Sequence, residues 1–178
     1  MSVRIAPASP SDAAGVLNVY APYVIDAPAS FELEPPSVEE MARRIEESVA
    51  KHSWLVAVEN NTIVGYAYGT TARTREAYRY TVKVSVYLDA DTRGRGVGKL
   101  LMTELLTTLR KRGYVTAIAG VTLPNDPSVR LFKRLGFEAV GVYRHIGFKF
   151  GRWHDVGWWQ RSLVETLPSS PPDVPLEP

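Results

Sequence analysis

The sequence predicts one mixed α/β domain. Three observations carry that reading. Apolar runs of strand length recur along the 178 residues, amphipathic stretches of helical period separate them, and one strand passes through a glycine-rich loop straight into a helix. The length fits a single unit spanning residues 1–167, with no internal repeat and no linker-like stretch inside it.

Val3 to Ala6 reads as the first strand. Ser9-Pro10-Ser11-Asp12 is a helix start, with a capping serine, proline at the first helical position and an acid in the first turn. Tyr20 to Pro36 is rich in Pro and Ala and reads as irregular. Ser37-Val38-Glu39-Glu40 is a capping box that opens a helix running to about His52. Trp54–Glu59 and Thr62–Thr71 form a hairpin across Asn60-Asn61.

Thr81–Leu88 is a strand with Val82, Val84, Val86 and Leu88 on one face and Lys83, Ser85 and Tyr87 on the other. Val97, Leu101, Leu105 and Leu109 repeat every four residues and predict a helix over about 96–112. Val115–Val121 is a strand and Asn125–Leu135 a short helix ended by Gly136. Ala139–Ile146 and Val156–Leu163 pair as a last hairpin. From Pro168 to Pro178 the density of Pro and Ser predicts a disordered tail.

Composition narrows the function. Twenty-one basic residues against 19 acidic leave a net charge of +2, without the cationic block that nucleic acid binding needs. With no cysteine, disulfides, thiolate metal sites and a cysteine nucleophile are excluded. His52, His145 and His154 lack metal-ligand spacing, so no metal is expected. No segment approaches the roughly 20 apolar residues of a membrane span, and Met1–Ile5 lacks the apolar stretch of a signal peptide. The expectation is a cytoplasmic protein bound to neither membrane nor nucleic acid.

The strand ending at Leu88 leads through Asp89–Thr92 into Arg93-Gly94-Arg95-Gly96-Val97-Gly98-Lys99. Glycines allow backbone N–H groups to approach a ligand closely, and a helix N-terminus adds partial positive charge, so this loop suits a pyrophosphate. It is not a Walker loop, because Arg93 and Leu100 stand where Gly and Ser or Thr are required. A dinucleotide fingerprint begun at Gly94 or Gly96 needs a final glycine at 99 or 101, where Lys99 and Leu101 stand.

What fits is R/Q-x-x-G-x-G/A, and on these residues the chain resembles the GNAT superfamily of N-acetyltransferases. Asn125-Asp126-Pro127-Ser128, Leu131-Phe132 and Leu135-Gly136-Phe137 extend the resemblance. A narrower likeness, to phosphinothricin and methionine sulfoximine acetyltransferases, rests on Trp54–Ala57, Ala77–Val82, Ser85–Tyr87, Leu123–Arg130 and the run Gly147-Phe148-Lys149-Phe150-Gly151-Arg152-Trp153-His154-Asp155.

The resemblance implies a GNAT fold, with helices flanking a splayed, mostly antiparallel central sheet, and acetyl-CoA as co-substrate. Backbone groups of Val86, Tyr87 and Leu88 would hold the pantetheine and thioester, and Arg93 to Lys99 (Arg93, Gly94, Arg95, Gly96, Val97, Gly98, Lys99) the pyrophosphate. Asn125 and Ser128 would lie beside the pantetheine arm. Phe31, Arg73, Arg75 and Tyr78 would hold a small amino-acid-like acceptor, the guanidinium forks suiting a carboxylate. The family also implies a homodimer whose last hairpin completes the partner's cleft.

Two positions depart from the family. The subfamily pattern T-V-E-x-S-V-Y reads Thr81-Val82-Lys83-Val84-Ser85-Val86-Tyr87, which puts Lys83 where the general base is expected. Phe132 stands where relatives carry His or Tyr. Lys83 is the candidate catalytic residue at that position, and Glu32, Glu34, His145 and His154 are the other candidate proton carriers. These departures set out the alternative: an acyl-CoA-binding domain with weak or no catalysis.

Overall fold

A computed structural model describes residues 3–170. Of the stretch expected to be a disordered tail, residues 171–178 lie outside the described residues. The elements are β1 (Arg4–Pro7), α1 (Ala13–Ile25), α2 (Val38–Lys51), β2 (Trp54–Glu59), β3 (Thr62–Thr71), β4 (Thr81–Leu88), α3 (Val97–Lys111), β5 (Thr116–Leu123), α4 (Asp126–Arg134), β6 (Glu138–Lys149) and β7 (Arg152–Ser162). The strands form one sheet in the order β1-β2-β3-β4-β5-β7-β6. Every neighbouring pair is antiparallel except β4–β5. This is the mixed, mostly antiparallel sheet expected, with helices on both faces.

The local chemistry behaves as read. Ser37 Oγ accepts from Glu40 N at 3.2 Å and caps α2. Asn60 and Asn61 both take positive φ, 50° and 60°, which matches a two-residue hairpin turn to the twist of β2 and β3. Pro10 opens a single 3-10 turn that continues into α1.

The irregular segment expected from Tyr20 begins later. Helix α1 runs on to Ile25 and carries Pro22 inside its last turns, where Asp26 N still donates to Pro22 O at 2.9 Å. Val16, Val19, Tyr20 and Val24 are buried along its inner side, and that burial outweighs the composition. The last hairpin is also longer than expected. It turns at Phe150 and Gly151, both with positive φ, and takes up a register irregularity between Tyr143 and Gly147, where His145 sits at φ 51°.

Two cores sandwich the sheet. On one face Leu101, Met102, Leu105 and Leu109 of α3, Phe132 of α4 and Leu135 just after it pack on Val82, Val84, Ala117 and Ala119. On the other, α1 and α2 bring Val16, Val24, Met41 and Ile45 onto Trp54, Val56 and Tyr66. Strand alternation then puts Lys83, Ser85 and Tyr87 on the α1/α2 face, because Val82 and Val84 are committed to α3. No helix among the described residues is long and apolar enough to cross a membrane.

Candidate active site

The parallel pair makes the site. Strands β4 and β5 are in register only from Thr81 and Thr116 to Lys83 and Ile118, and beyond that they part. Asp89 N donates to Val64 O on β3, whereas Tyr80 O accepts from Val115 and Thr116 N beside β5. Odd-numbered residues of β4 therefore turn their backbone groups to β3, and even-numbered ones face the opening gap. Leu88 has both groups occupied: the Tyr23 hydroxyl donates to Leu88 O at 2.6 Å and accepts from Leu88 N at 3.2 Å. Tyr87 spends its backbone on β3 opposite Tyr66 and offers the site its ring. Val86 is left with N–H and C=O toward the gap, at the widening end of the wedge.

The glycine loop sits at the mouth of that wedge. Gly94 and Gly96 hold φ of 77° and 84°, and a Cβ added to either would point into open space. Only a residue without a side chain takes this conformation without strain while keeping its backbone approachable. Arg93 N and Arg95 N bond back to Ala90 O and Thr92 O, and Lys99 N and Leu100 N to Gly96 O. The N–H groups of Gly94, Gly96, Val97 and Gly98 have no such partner among the described residues, and α3 begins at Val97. Converging free N–H groups at a helix N-terminus form a site for an anion.

The side chains around the loop divide their work. Arg93 places its guanidinium 5.0 Å from the Tyr23 ring centroid. Arg95 forms a two-pronged pair with Glu59, at 2.6 and 3.0 Å, which braces the loop against β2. The Val97 side chain is core, so its contribution to a ligand is its N–H. Lys99 is exposed beside the loop. Asn125 Oδ1 accepts from Ser128 N at 3.2 Å, so both residues fix the start of α4 across the gap. Phe132 is buried edge-to-face against Phe137 at 5.1 Å, and has no polar atom with which to move a proton.

On the α1/α2 face lies a cavity of about 400 Å³ lined by Tyr20, Arg44, Trp54, Tyr66, Tyr68 and Thr70, among others. Trp54 stacks on Tyr68 at 4.2 Å, and Tyr66 carries the stack on to Tyr87 at 5.3 Å. Lys83 is opposite Thr70 in the β3–β4 register and Ser85 opposite Tyr68, so residue 83 rises at the cavity's edge, half-buried. Burial pushes the Tyr20 phenol up to about 12, with Glu32 close by adding to the shift and Ser30 opposing it. Burial likewise drives His52 down to about 4, so this imidazole, 2.7 Å from the Tyr114 hydroxyl, is neutral and structural.

The acceptor residues implied by resemblance lie around this cavity to different degrees. Arg73 and Arg75 stand on the exposed loop that leaves the cavity at Thr71, and neither guanidinium is paired among the described residues. Tyr78 is exposed on the same loop, in a short 3-10 turn. Phe31 packs over Gly147, where an added Cβ would come within 2.3 Å of its ring, and lies 6.1 Å from the His154 ring.

The run Gly147–Asp155 now has a physical explanation. Lys149 is only 5% exposed, and its ammonium donates to Val24 O (2.6 Å), Ser30 O (2.8 Å) and Ala27 O (3.3 Å). His154 Nε2 bonds Lys149 O at 2.9 Å, and His145 N donates to Asp155 Oδ1 at 2.8 Å. The hairpin thus grips the end of α1 and the segment carrying Phe31 and Glu32. Of the histidines offered as proton carriers, His154 is buried in this grip and His145 is exposed on a bulge. Sequence reasoning missed Tyr23 and the buried role of Lys149. Among the described residues no group of His, Asp or Glu is arranged to hold a metal ion.

Comparison with known proteins agrees with this geometry. The family model described as an acetyltransferase (GNAT) domain matches residues 5–158. Phosphinothricin N-acetyltransferase of Streptomyces viridochromogenes is 37% identical over 169 residues, covering 95% of this chain and 92% of that one. The L-methionine sulfoximine/L-methionine sulfone acetyltransferase of Pseudomonas aeruginosa is 31% identical, covering 93% and 98%. The crystal structure of a GNAT superfamily phosphinothricin acetyltransferase from Sinorhizobium meliloti in complex with AcCoA superposes with a TM-score of 0.92 at 34% identity, covering 97% and 95%.

Proposed function

The chain belongs to the GNAT acetyltransferase family and is an acetyl-CoA-dependent N-acetyltransferase, and from that premise we propose that it acetylates the amine of a small amino-acid acceptor of the phosphinothricin or methionine sulfoximine type. One observation supports the reading above the rest. The free N–H groups of Gly94, Gly96, Val97 and Gly98 stand at the mouth of the β4–β5 wedge, whose narrow end adjoins an aromatic cavity. The loop would take the pyrophosphate and Val86 the pantetheine, with Asn125 and Ser128 across the gap. The thioester is the acetyl donor. The chain's residues hold it, exclude water with Tyr20, Tyr23 and Tyr87, and orient the acceptor. Arg73 and Arg75, unpaired among the described residues, suit an acceptor bearing a carboxylate or a phosphinyl group.

Thiol release tests the acceptor class cleanly, because a chain with no cysteine gives no background with a thiol reagent. Phosphinothricin, methionine sulfoximine and free amino acids are expected to exceed spermidine and lysine-rich peptides by at least about tenfold in kcat/KM. A preference for polyamines would overturn the acceptor assignment. The need for acetyl-CoA supports a cytoplasmic setting.

The same reading includes a homodimer. Strand β6 is a sheet edge, and Val140, Val142, Tyr143, Ile146, Phe148 and Trp153 are exposed along the last hairpin. An apolar sheet edge of this extent supports pairing with a second copy. Light scattering should give twice the chain mass of 19.8 kDa, and Val142→Asp with Trp153→Asp should give one. A monomeric wild type would remove the dimer from the reading.

A further inference from the structure

We propose that Glu32 supplies the carboxylate that position 83 lacks, receiving the acceptor's ammonium and taking its proton; this rests on the acetyltransferase reading above. The need is chemical. An α-amine is largely protonated at neutral pH, the thioester is attacked only by the neutral form, and Lys83 brings a positive charge to the spot. A carboxylate must reach the same space from elsewhere.

Glu32 reaches it from the opposite wall. Its carboxylate lies beside the Tyr20 hydroxyl and acts electrostatically on Tyr68 and Tyr87, and all three rings belong to the α1/α2 face of the sheet. Position 83 is on that face too, two residue pairs from Tyr68 along the β3–β4 register. Thus residue 83 rises from the sheet and Glu32 comes from the segment that crosses above it. The cavity joins them through its lining: Arg44 and Tyr20, which contact Glu32, and Thr70, the register partner of Lys83. Among the described residues the acid that lines the cavity itself, Glu47, is turned to Arg43 and exposed. Glu34 is exposed two residues farther along.

The carboxylate is held and not neutralised. Arg44 Nη1 donates to Glu32 Oε1 at 2.6 Å, while Arg44 Nε serves Glu40 at 2.8 Å, so one guanidinium is divided between two acids. Glu32 N donates to Ser30 Oγ at 3.2 Å, Ser30 Oγ shares a 2.7 Å hydrogen bond with Tyr20, and Ser30 O is one of the three carbonyls that Lys149 grips. The side chain is 33% exposed, open enough to meet a substrate and sheltered enough for its charge to count. The charged and titratable groups that face it are Arg44 of α2, Tyr20 of α1, Tyr68 of β3, Tyr87 of β4 and Lys149 of β6.

In the reaction, the acceptor ammonium gives one proton to the Glu32 carboxylate. The amine lone pair forms the new C–N bond at the thioester carbonyl, and the C–S bond breaks to release the thiolate of coenzyme A. The second proton lost by nitrogen neutralises that thiolate, and Glu32 returns its proton to solvent. One ammonium and one thioester become one amide, one thiol and one proton.

The test is a pH–rate profile with phosphinothricin, by thiol release, alongside calorimetric acetyl-CoA binding. Glu32→Gln keeps the volume and the hydrogen bond to Arg44, and is expected to lower kcat by about 10² or more while acetyl-CoA affinity holds, with the loss greatest on the acid side of the profile, where the acceptor amine is protonated. Adding Lys83→Glu to Glu32→Gln should restore kcat by about tenfold or more, since it returns a carboxylate from the other wall. Lys83→Met alone should keep the wild-type shape of the profile. A Glu32→Gln enzyme with wild-type kcat and profile, or one altered in KM alone, overturns the assignment, as does a comparable acid-side loss of kcat in Lys83→Met. A wild type that binds acetyl-CoA and acetylates none of the amino acids overturns the acetyltransferase reading itself.

Discussion

Gly96→Val should raise the Kd for acetyl-CoA by about a hundredfold or more while leaving the domain folded. The glycine caps α3 at φ 84°, a conformation that costs an L-residue about 1–2 kcal/mol and suits a β-branched residue worst of all. Nothing lies within 4 Å of the Cβ that would be added, so the free protein relieves the strain by moving the loop. Binding must then restore the arrangement in which the N–H groups of Gly94, Gly96, Val97 and Gly98 converge, against a side chain standing where the pyrophosphate approaches. Helix α3 stays anchored by Val97, Leu101 and Leu105, all buried. Melting should therefore move by only a few degrees, by about 2–4 °C per kcal/mol at this size. Gly96→Ala should fall between the two. Calorimetry checks the series, and unchanged affinity in Gly96→Val would remove the loop from the pyrophosphate site.

Lys149→Met should be the most destabilising single change near the acceptor cavity. It strands Val24 O, Ala27 O and Ser30 O, three carbonyls that share one buried ammonium. Each unsatisfied group costs about 1–3 kcal/mol, so a loss on the order of 3–5 kcal/mol and a fall of roughly 10 °C or more in Tm follow. The segment bearing Phe31 and Glu32 also loses its tether, and misplacing it should cut kcat/KM for the acceptor by about a hundredfold. Acetyl-CoA affinity should change little, because the glycine loop is braced separately by Arg95 and Glu59. Urea unfolding and steady-state kinetics separate these effects. An unaltered Tm would mean that the ammonium's three bonds contribute nothing net.

The sheet, the hairpin at Asn60-Asn61 and the glycine loop that leads into α3 were legible because each is written in local chemistry: alternation, paired turn residues, and glycines between a strand and a helix. Helix α1 was not legible beyond Val19. It is apolar around most of its circumference, so no polar face marks its period, and Pro22 reads as a break although it sits where the helix tolerates it. Tyr23, which holds the end of β4, was lost with that helix. Lysine reads as a surface residue, and only the tertiary packing of β6 on the end of α1 reveals Lys149 as buried. The separation of β4 from β5 is likewise a property of long-range register, and no residue within either strand encodes it.

The stacked rings beside the cavity also make it visible to light. Trp54 is buried and lies face to face with Tyr68 at 4.2 Å and Tyr66 at 5.3 Å, close enough for the tyrosines to pass excitation to the indole and for the transitions to couple in the near-ultraviolet. Trp153, 61% exposed on the outer side of the hairpin, emits from water at the red edge of the band. Of the four tryptophans, Trp54 against the cavity is buried and Trp153 on the apolar edge is exposed, while Trp158 and Trp159 lie on β7. An acceptor entering the cavity would perturb Trp54, and a second copy docking on the edge would shift Trp153, so each event can be followed without an attached dye by comparing Trp54→Phe and Trp153→Phe variants with the parent.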